Sequence, residues 1–279
     1  SGTLTPLFVG SLIGEVTKNT SIIDVNPVLY IAMGVFVVAF VILTYIPIQD
    51  PKNSKTGINV TFEHSPWNFR HFVLAIAIFV YVGVEVGIPG TLIYYLSDTT
   101  AIGGGLPKAT ATAIAGSVAA TYWFLMLIGR FIAGFIASKI SSRTLMSCTT
   151  ILAMILITTA IVLGKSAAVS MPVFTGSAFN MVVVPVSALL LVLCGLCTSV
   201  MWPCIFNLAT EGLGKYTEPA SGIFMMMVVG GGLLPLLQNF IADQSGYLVS
   251  YFVPLAGVAY MCFYTLIGSK NVNKDIPVD

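Results

Sequence analysis

Arg70-His71-Phe72-Val73-Leu74-Ala75-Ile76-Ala77-Ile78-Phe79-Val80-Tyr81-Val82-Gly83-Val84-Glu85-Val86-Gly87-Ile88-Pro89-Gly90-Thr91-Leu92-Ile93-Tyr94-Tyr95-Leu96-Ser97 contains one acid, Glu85, and no lysine or arginine after Arg70. About 20 apolar residues wound as a helix cross the ~30 Å hydrocarbon core of a bilayer, and a helix satisfies its own backbone there. The stretch therefore reads as a membrane span. Runs of the same kind lie at about 27–46, 110–136, 144–163, 185–211, 219–241 and 249–269, and an eighth, at 2–17, opens the chain. The composition agrees, with 57% hydrophobic and 8% charged residues where a soluble domain carries about 25% charge. The reading is an all-α membrane protein of about eight transmembrane helices.

The first run, Gly2 to Gly14 and beyond, reads as the second part of a membrane helix, so an N-terminal portion is expected to precede Ser1. Residues 47–69 are rich in Pro, Asn, Ser and Gly and read as a linker. Lysine and arginine orient the chain. One set of connections holds Lys52, Lys55, Arg70, Arg130, Lys139, Arg143, Lys215, Lys270 and Lys274; the opposite set holds Lys18, Lys108 and Lys165. Nine against three puts the linker and the C-terminus in the cytoplasm. A weak echo between Phe135-Ile136-Ala137 and Phe240-Ile241-Ala242, at opposite ends of two middle helices, fits an inverted repeat of three plus three helices.

Composition excludes several function classes. A net charge of +1 with no basic patch gives no sign of nucleic-acid binding. The five cysteines (148, 194, 197, 204, 262) sit inside apolar runs, so they do not form a disulfide framework, and the Cys194-x-x-Cys197 pair reads as helix packing. His64 and His71 flank one junction and cannot build a metal or nucleophile site. No cofactor and no enzyme chemistry are expected.

Glu85 is the most informative residue. A carboxylate within a bilayer costs several kcal/mol, so it faces protein or water, or carries a proton. It is read either as a binding or proton-accepting group or as a structural hydrogen-bonding residue. No partner for it is visible, and the basic residues all read as lying at span ends. Pro89 cannot donate to the Glu85 carbonyl and frees it. Tyr81, Glu85, Leu92 and Tyr95 share one helix face; Gly83 and Gly87 share another, where a neighbour can approach closely. In the sixth span Pro203 frees the Ser199 carbonyl and permits a break; Trp202 has the shape to stack on a sugar ring, and Asn207 can hydrogen-bond hydroxyls. In the seventh, Gly230-Gly231-Gly232 and Pro235 weaken the helix, and Gln238 and Asn239 offer uncharged donors and acceptors. Arg130, Lys139 and Arg143, at the cytoplasmic end of the fourth span, are read as positive-inside anchors or as a gate latch in which Arg130 meets a helix C-terminus or an acid.

Four stretches resemble the major facilitator superfamily, in particular its fucose permease and glucose–galactose sugar:proton symporter branch. They are Tyr81–Val86; Ile128-Gly129-Arg130-Phe131 with Gly134 and Lys139; Met201–Ala209 with Gly212-Leu213-Gly214; and Val229–Asp243. The resemblance implies that 1–46 is the end of helix five and helix six, closing the N-terminal half. It implies that 47–69 is the cytoplasmic linker loop, 70–269 the complete C-terminal six-helix half, and 270–279 a cytoplasmic tail. The superfamily's loop motif has an acid where Ser138 stands and a glycine where Ser141 stands, which weakens the latch.

It further implies a secondary active transporter in the cell (inner) membrane, multi-pass, moving a monosaccharide such as fucose, glucose or galactose inward with protons by alternating access. Glu85, Tyr81, Asn207, Gln238 and Trp202 would meet the sugar, and Arg130, Lys139, Arg143, Pro89, Pro203 and Pro235 would serve gating. Its partners would be sugar, protons, the lipid bilayer and the missing N-terminal half. The coupling acids of the branch fall in that absent half, which leaves Glu85 an auxiliary or binding residue. The alternatives are another small solute of the same superfamily and a non-transporting membrane receptor or sensor.

Overall fold

The structure, a computed structural model, describes residues 23, 26–46, 65–136, 139–174, 179–273 and 275–276. The expected span at 2–17 and most of the linker lie outside the described residues. Within them, seven helices are long and apolar enough to cross a membrane: α1 (Asn26–Tyr45), α2 (Arg70–Ser97), α3 (Ala111–Ile136), α4 (Ser142–Leu163), α5 (Val186–Thr210), α6 (Gly214–Ser245) and α7 (Tyr247–Gly268). The chain is a multi-pass membrane protein. Helices α2 to α7 form a bundle, whereas α1 buries none of its residues.

Local chemistry sets several ends. A 3₁₀ turn at Pro66–Asn68 leads into α2, with proline at its first position, where a missing N–H costs nothing. Helix α4 starts at the N-cap Ser141, whose Oγ accepts the Thr144 N–H at 3.1 Å. Gly246 alone separates α6 from α7, and its φ of +94° is one that a side chain would resist.

Helix α2 is the hub, packed against α3, α5, α6 and α7. In a bilayer, helices gain little from hydrophobic burial against each other, so close packing at small residues and interhelical hydrogen bonds hold them. Both occur here. Gly83 faces Leu234, Gly87 faces Gln238, and Gly230 lies against the Phe79 backbone, which joins α2 to α6 along the glycine face expected from spacing. The buried Tyr251 hydroxyl donates to the Ile88 carbonyl at 3.0 Å, and Tyr260 to the Leu74 carbonyl at 2.9 Å, tying α7 to α2.

Helices α5 and α6 are interrupted well inside their length where proline and glycine weaken them. Helix α5 breaks at Ser199–Val200, one turn before Pro203, and α6 at Val228–Val229, ahead of Gly230. Between α4 and α5 the chain departs from the helix-and-loop reading. Strands β1 (Ala168–Phe174) and β2 (Phe179–Pro185) pair antiparallel, with Ala168 opposite Pro185 and Val173 opposite Asn180. The hairpin packs on α3 and α5, burying Met171, Val173 and Val184 while Ser170, Pro172 and Val183 stay exposed. That alternation has the period of two proper to a half-buried strand.

At the same end, outside the spans, the Asp98 carboxylate accepts the Thr100 N–H at 2.7 Å. Slight burial works to raise its pKa, but the Thr100 bonds, the Tyr247 hydroxyl and the Lys165 charge outweigh it and hold Asp98 below the usual carboxylate value. Lys165 also donates to the Ala101 carbonyl, fastening the α2–α3 loop to the end of α4.

Candidate functional site

Glu85 stands fifteen residues into the 28-residue α2, roughly 22 Å along a helix about 42 Å long. This mid-helix carboxylate has a charged partner. Arg130 of α3 donates from Nη2 to Glu85 Oε1 at 3.3 Å, with side chains 53% and 14% exposed respectively. Two sequence-based expectations are therefore corrected. Glu85 is not without a partner, and Arg130 is not a cytoplasmic-end anchor but lies six residues inside the last residue of α3, about 9 Å up the helix. Removing Arg130 from the cytoplasmic set leaves eight basic residues against three, so the orientation argument survives.

The packing of α3 on α5 explains why Arg130 arrives there. Gly129 lies against the break of α5, where an added Cβ would sit 2.7 Å from Ser199 Cβ and 3.2 Å from the Leu196 carbonyl. Just before that break in α5 the Thr198 hydroxyl meets the buried Tyr122 hydroxyl at 3.0 Å. Glycine at 129 thus lets α3 close on α5 and aims the next side chain at α2.

The aromatic expectations also meet here. The Tyr81 ring is fully buried on the Glu85 face and packs edge-on against Trp202 of α5, centroids 6.0 Å apart. Its hydroxyl lies against both Glu85 and Arg130 without completing a hydrogen bond. Tyr81, Glu85, Arg130 and Trp202 form one cluster across three helices. It offers a carboxylate to accept hydroxyl protons, a guanidinium to donate, and a half-buried indole as an apolar wall.

The other candidates separate from it. Gln238 is buried on a different face of α2, its Oε1 against Gly87 and its Nε2 without a partner. Next to it Asn239 Oδ1 accepts from the buried Thr91 hydroxyl at 3.1 Å. Asn207 is not brought to the cluster. It donates to Ser142 Oγ at 3.4 Å, at a cavity of about 410 Å³ formed with Ser141, Arg143 and Glu211 where α5 ends and α4 begins. The reason is the helical phase: five residues past Trp202, Asn207 is more than a turn nearer the α5 end. Arg143 donates to Ser269 Oγ at 3.4 Å, linking α4 to the residue after α7, and Lys139 is exposed. Pro89, Pro203 and Pro235 lie within α2, α5 and α6. Sequence reasoning missed the Glu85–Arg130 pairing and the role of Gly129. The available signal was an arginine two turns inside an apolar helix, directly after a glycine.

No protein-family profile matches the chain. A glucose/galactose transporter of Brucella abortus is 32% identical over 246 residues, covering 88% of this chain and 53% of that protein. The L-fucose-proton symporter of Escherichia coli is 24% identical over 220 residues, 77% of this chain and 44% of that protein. The crystal structure of FucP, a major facilitator superfamily transporter in the outward conformation, superposes with a TM-score of 0.62 at 19% identity, over 95% of this chain and 63% of that one. The chain spans about half the length of the curated relatives it matches. The resemblance read from the helix motifs is borne out, and the proteins it resembles are transporters, not enzymes.

Proposed function

From a chain that has the major facilitator superfamily fold, we propose the C-terminal half of a secondary transporter that carries a monosaccharide such as fucose, glucose or galactose inward with protons by alternating access. Residues 1–46 would close the N-terminal half, 47–69 cross between halves on the cytoplasmic side, and 70–269 form the second half, with 270–279 as a cytoplasmic tail in the cell (inner) membrane. The observation that carries this reading is the Glu85–Arg130–Tyr81–Trp202 cluster midway along α2. A carboxylate and a guanidinium side by side match neighbouring hydroxyls of a sugar, which donate to one and accept from the other. The names of the relatives support the same cargo class. Gln238 is a further candidate contact, whereas Asn207 and Arg143 fit a role at the cytoplasmic end.

A second reading has one observation in its favour. Arg130 is more than half exposed within a span, which suits an organic anion as cargo. Uptake of labelled fucose, glucose and galactose by cells expressing the full-length parent, with and without a protonophore, tests both. Uptake of one sugar, abolished by the protonophore and not competed by sugar acids, is expected. Transport of an acid in place of all three sugars would overturn the monosaccharide assignment.

A further inference from the structure

The Glu85–Arg130 pair is lopsided. The carboxylate is largely enclosed, the guanidinium more than half open, and one nitrogen–oxygen contact of 3.3 Å joins them. Arginine carries five N–H donors, so most of its capacity is left over for a ligand. Around Glu85 the ionisable groups are few among the described residues. Tyr81 comes from α2 itself, and Arg130 and Tyr122 from α3. Helix α5 presents Trp202, α6 presents Gly231 to Val82 and Val86 and Leu234 to Gly83, and α7 presents Gly257 to Val84, none of them charged. The Tyr122 hydroxyl is committed to Thr198. Arg130 is thus the counter-charge on which the Glu85 carboxylate depends.

Resting on the sugar-transport reading above, we propose that cargo and proton are coupled in this half by competition for Arg130. Cargo hydroxyl oxygens draw the guanidinium off Glu85, and the carboxylate left behind takes a proton from the open side. The balance is simple: one O–H bond forms on Glu85, Arg130 keeps its proton and charge, and the site gains one positive charge. When cargo leaves, the pair re-forms and the proton is released. Linkage makes the effect reciprocal, so proton binding at Glu85 frees Arg130 and tightens cargo binding. This places a coupling acid in the C-terminal half, where the family resemblance had left Glu85 an auxiliary group.

The test uses the full-length protein in proteoliposomes with whichever of the three sugars it carries. Protons taken up on sugar addition are measured in weak buffer, and sugar exchange is measured from about pH 5.5 to 8.5. The wild type takes up protons with sugar. Glu85→Gln takes up none, and its residual exchange, lower by on the order of tenfold, is flat with pH. Arg130→Gln also loses sugar-triggered proton uptake, while Arg130→Lys keeps it with a raised KM. If the single variants do not reach the membrane, the charge-balanced double variant E85Q/R130Q replaces them and shows the same flat profile. Wild-type proton uptake by E85Q, R130Q or the double variant would overturn the proposal, as would a wild type that moves sugar without protons. A wild type that moves no sugar at all fails the transport reading itself, and the proposal with it.

Discussion

Gly129→Ala is the sharpest test of how this bundle aims Arg130. A methyl there would lie 2.7 Å from Ser199 Cβ and 3.2 Å from the Leu196 carbonyl, where carbon contacts relax at about 3.5–4.0 Å. The side-chain contact is short by roughly 0.8 Å, and it is made to atoms on the broken turn of α5, which cannot swing aside. Overpacking of this kind costs about 1–3 kcal/mol, while alanine in a helix interior returns about 1 kcal/mol of propensity. The net expectation is a loss of about 1 kcal/mol, at most about 2, with α3 displaced enough to stretch the 3.3 Å Arg130–Glu85 contact. Gly116, on the same helix, has nothing within 4 Å of an added methyl, so Gly116→Ala is the control and should be neutral or stabilising. The assay is the thermal unfolding midpoint of the detergent-solubilised full-length protein, together with sugar uptake. Ser199→Gly in the G129A background removes the obstructing Cβ and should recover at least about 1 kcal/mol as a coupling energy. If G129A and G116A unfold together and transport alike, the close approach of α3 to α5 does not aim Arg130 and the reasoning fails.

Three further outcomes are expected. Tyr251→Phe removes the 3.0 Å bond to the Ile88 carbonyl and should lower stability by about 1 kcal/mol; an unchanged unfolding midpoint would show that this bond does not help to hold α7 on α2. Asp98→Asn tests the loop cluster by pH. A carboxyl whose folded pKa is depressed contributes stability above its ordinary value of 3.8 and loses it as pH falls through the folded value. The variant should therefore melt below the wild type at pH 7 and converge with it as the pH falls below the folded value, and a gap that does not narrow in acid would rule out the charge as the cause. Finally, a cysteine placed beside Lys55 should react with an impermeant maleimide only from the cytoplasmic side, and labelling from outside would invert the topology.

The spans were legible because hydropathy over about 20 residues is a property of the segment itself. Six of the eight expected runs match described helices within a few residues at either end, and the run at 219–241 proved to be the middle of the longer α6. The breaks in α5 and α6 were legible for a similar reason, since Pro203 and the glycine run act on their own backbone. The Gly83 and Gly87 face was read from spacing alone. Pairings were not. Glu85 and Arg130 are 45 residues apart, and the rule that basic residues gather at cytoplasmic ends assigned Arg130 a surface role that the packing at Gly129 overrides. Asn207 was grouped with Trp202 because five residues look close in sequence, yet along a helix they separate by about 7.5 Å. The hairpin was missed although Met171, Val173 and their exposed neighbours alternate. A two-stranded element has a weak signal beside runs of twenty apolar residues.

The placement of the weak points argues for a working division within the bundle. The α5 break meets α3 at Gly129, next to the charged pair, and the residue after that break carries into Trp202 against Tyr81. The α6 break leads into Gly230 and Gly231, which lie on Phe79 and Val82 of α2, one to two turns from Glu85. Interrupted helices bend where intrahelical hydrogen bonds are missing, so both flexible points lie beside the part of the bundle that holds Glu85 and Arg130. Helix α2 itself is unbroken from Ala77 to Ser97 and is held on its other side by Tyr251 and Tyr260. A hub that stays rigid, carrying Glu85 and Tyr81, and flanking helices that bend beside it, carrying Trp202 and Gln238, can change the surroundings of Glu85 while keeping its position fixed. Stiffening the α6 break tests this division. Gly232, with nothing within 4 Å of an added methyl, can take alanine without a clash, so Gly232→Ala should raise stability by up to about 1 kcal/mol and slow exchange. A variant that is more stable and exchanges as fast as the wild type would mean that the bend in α6 plays no part in the proposed cycle.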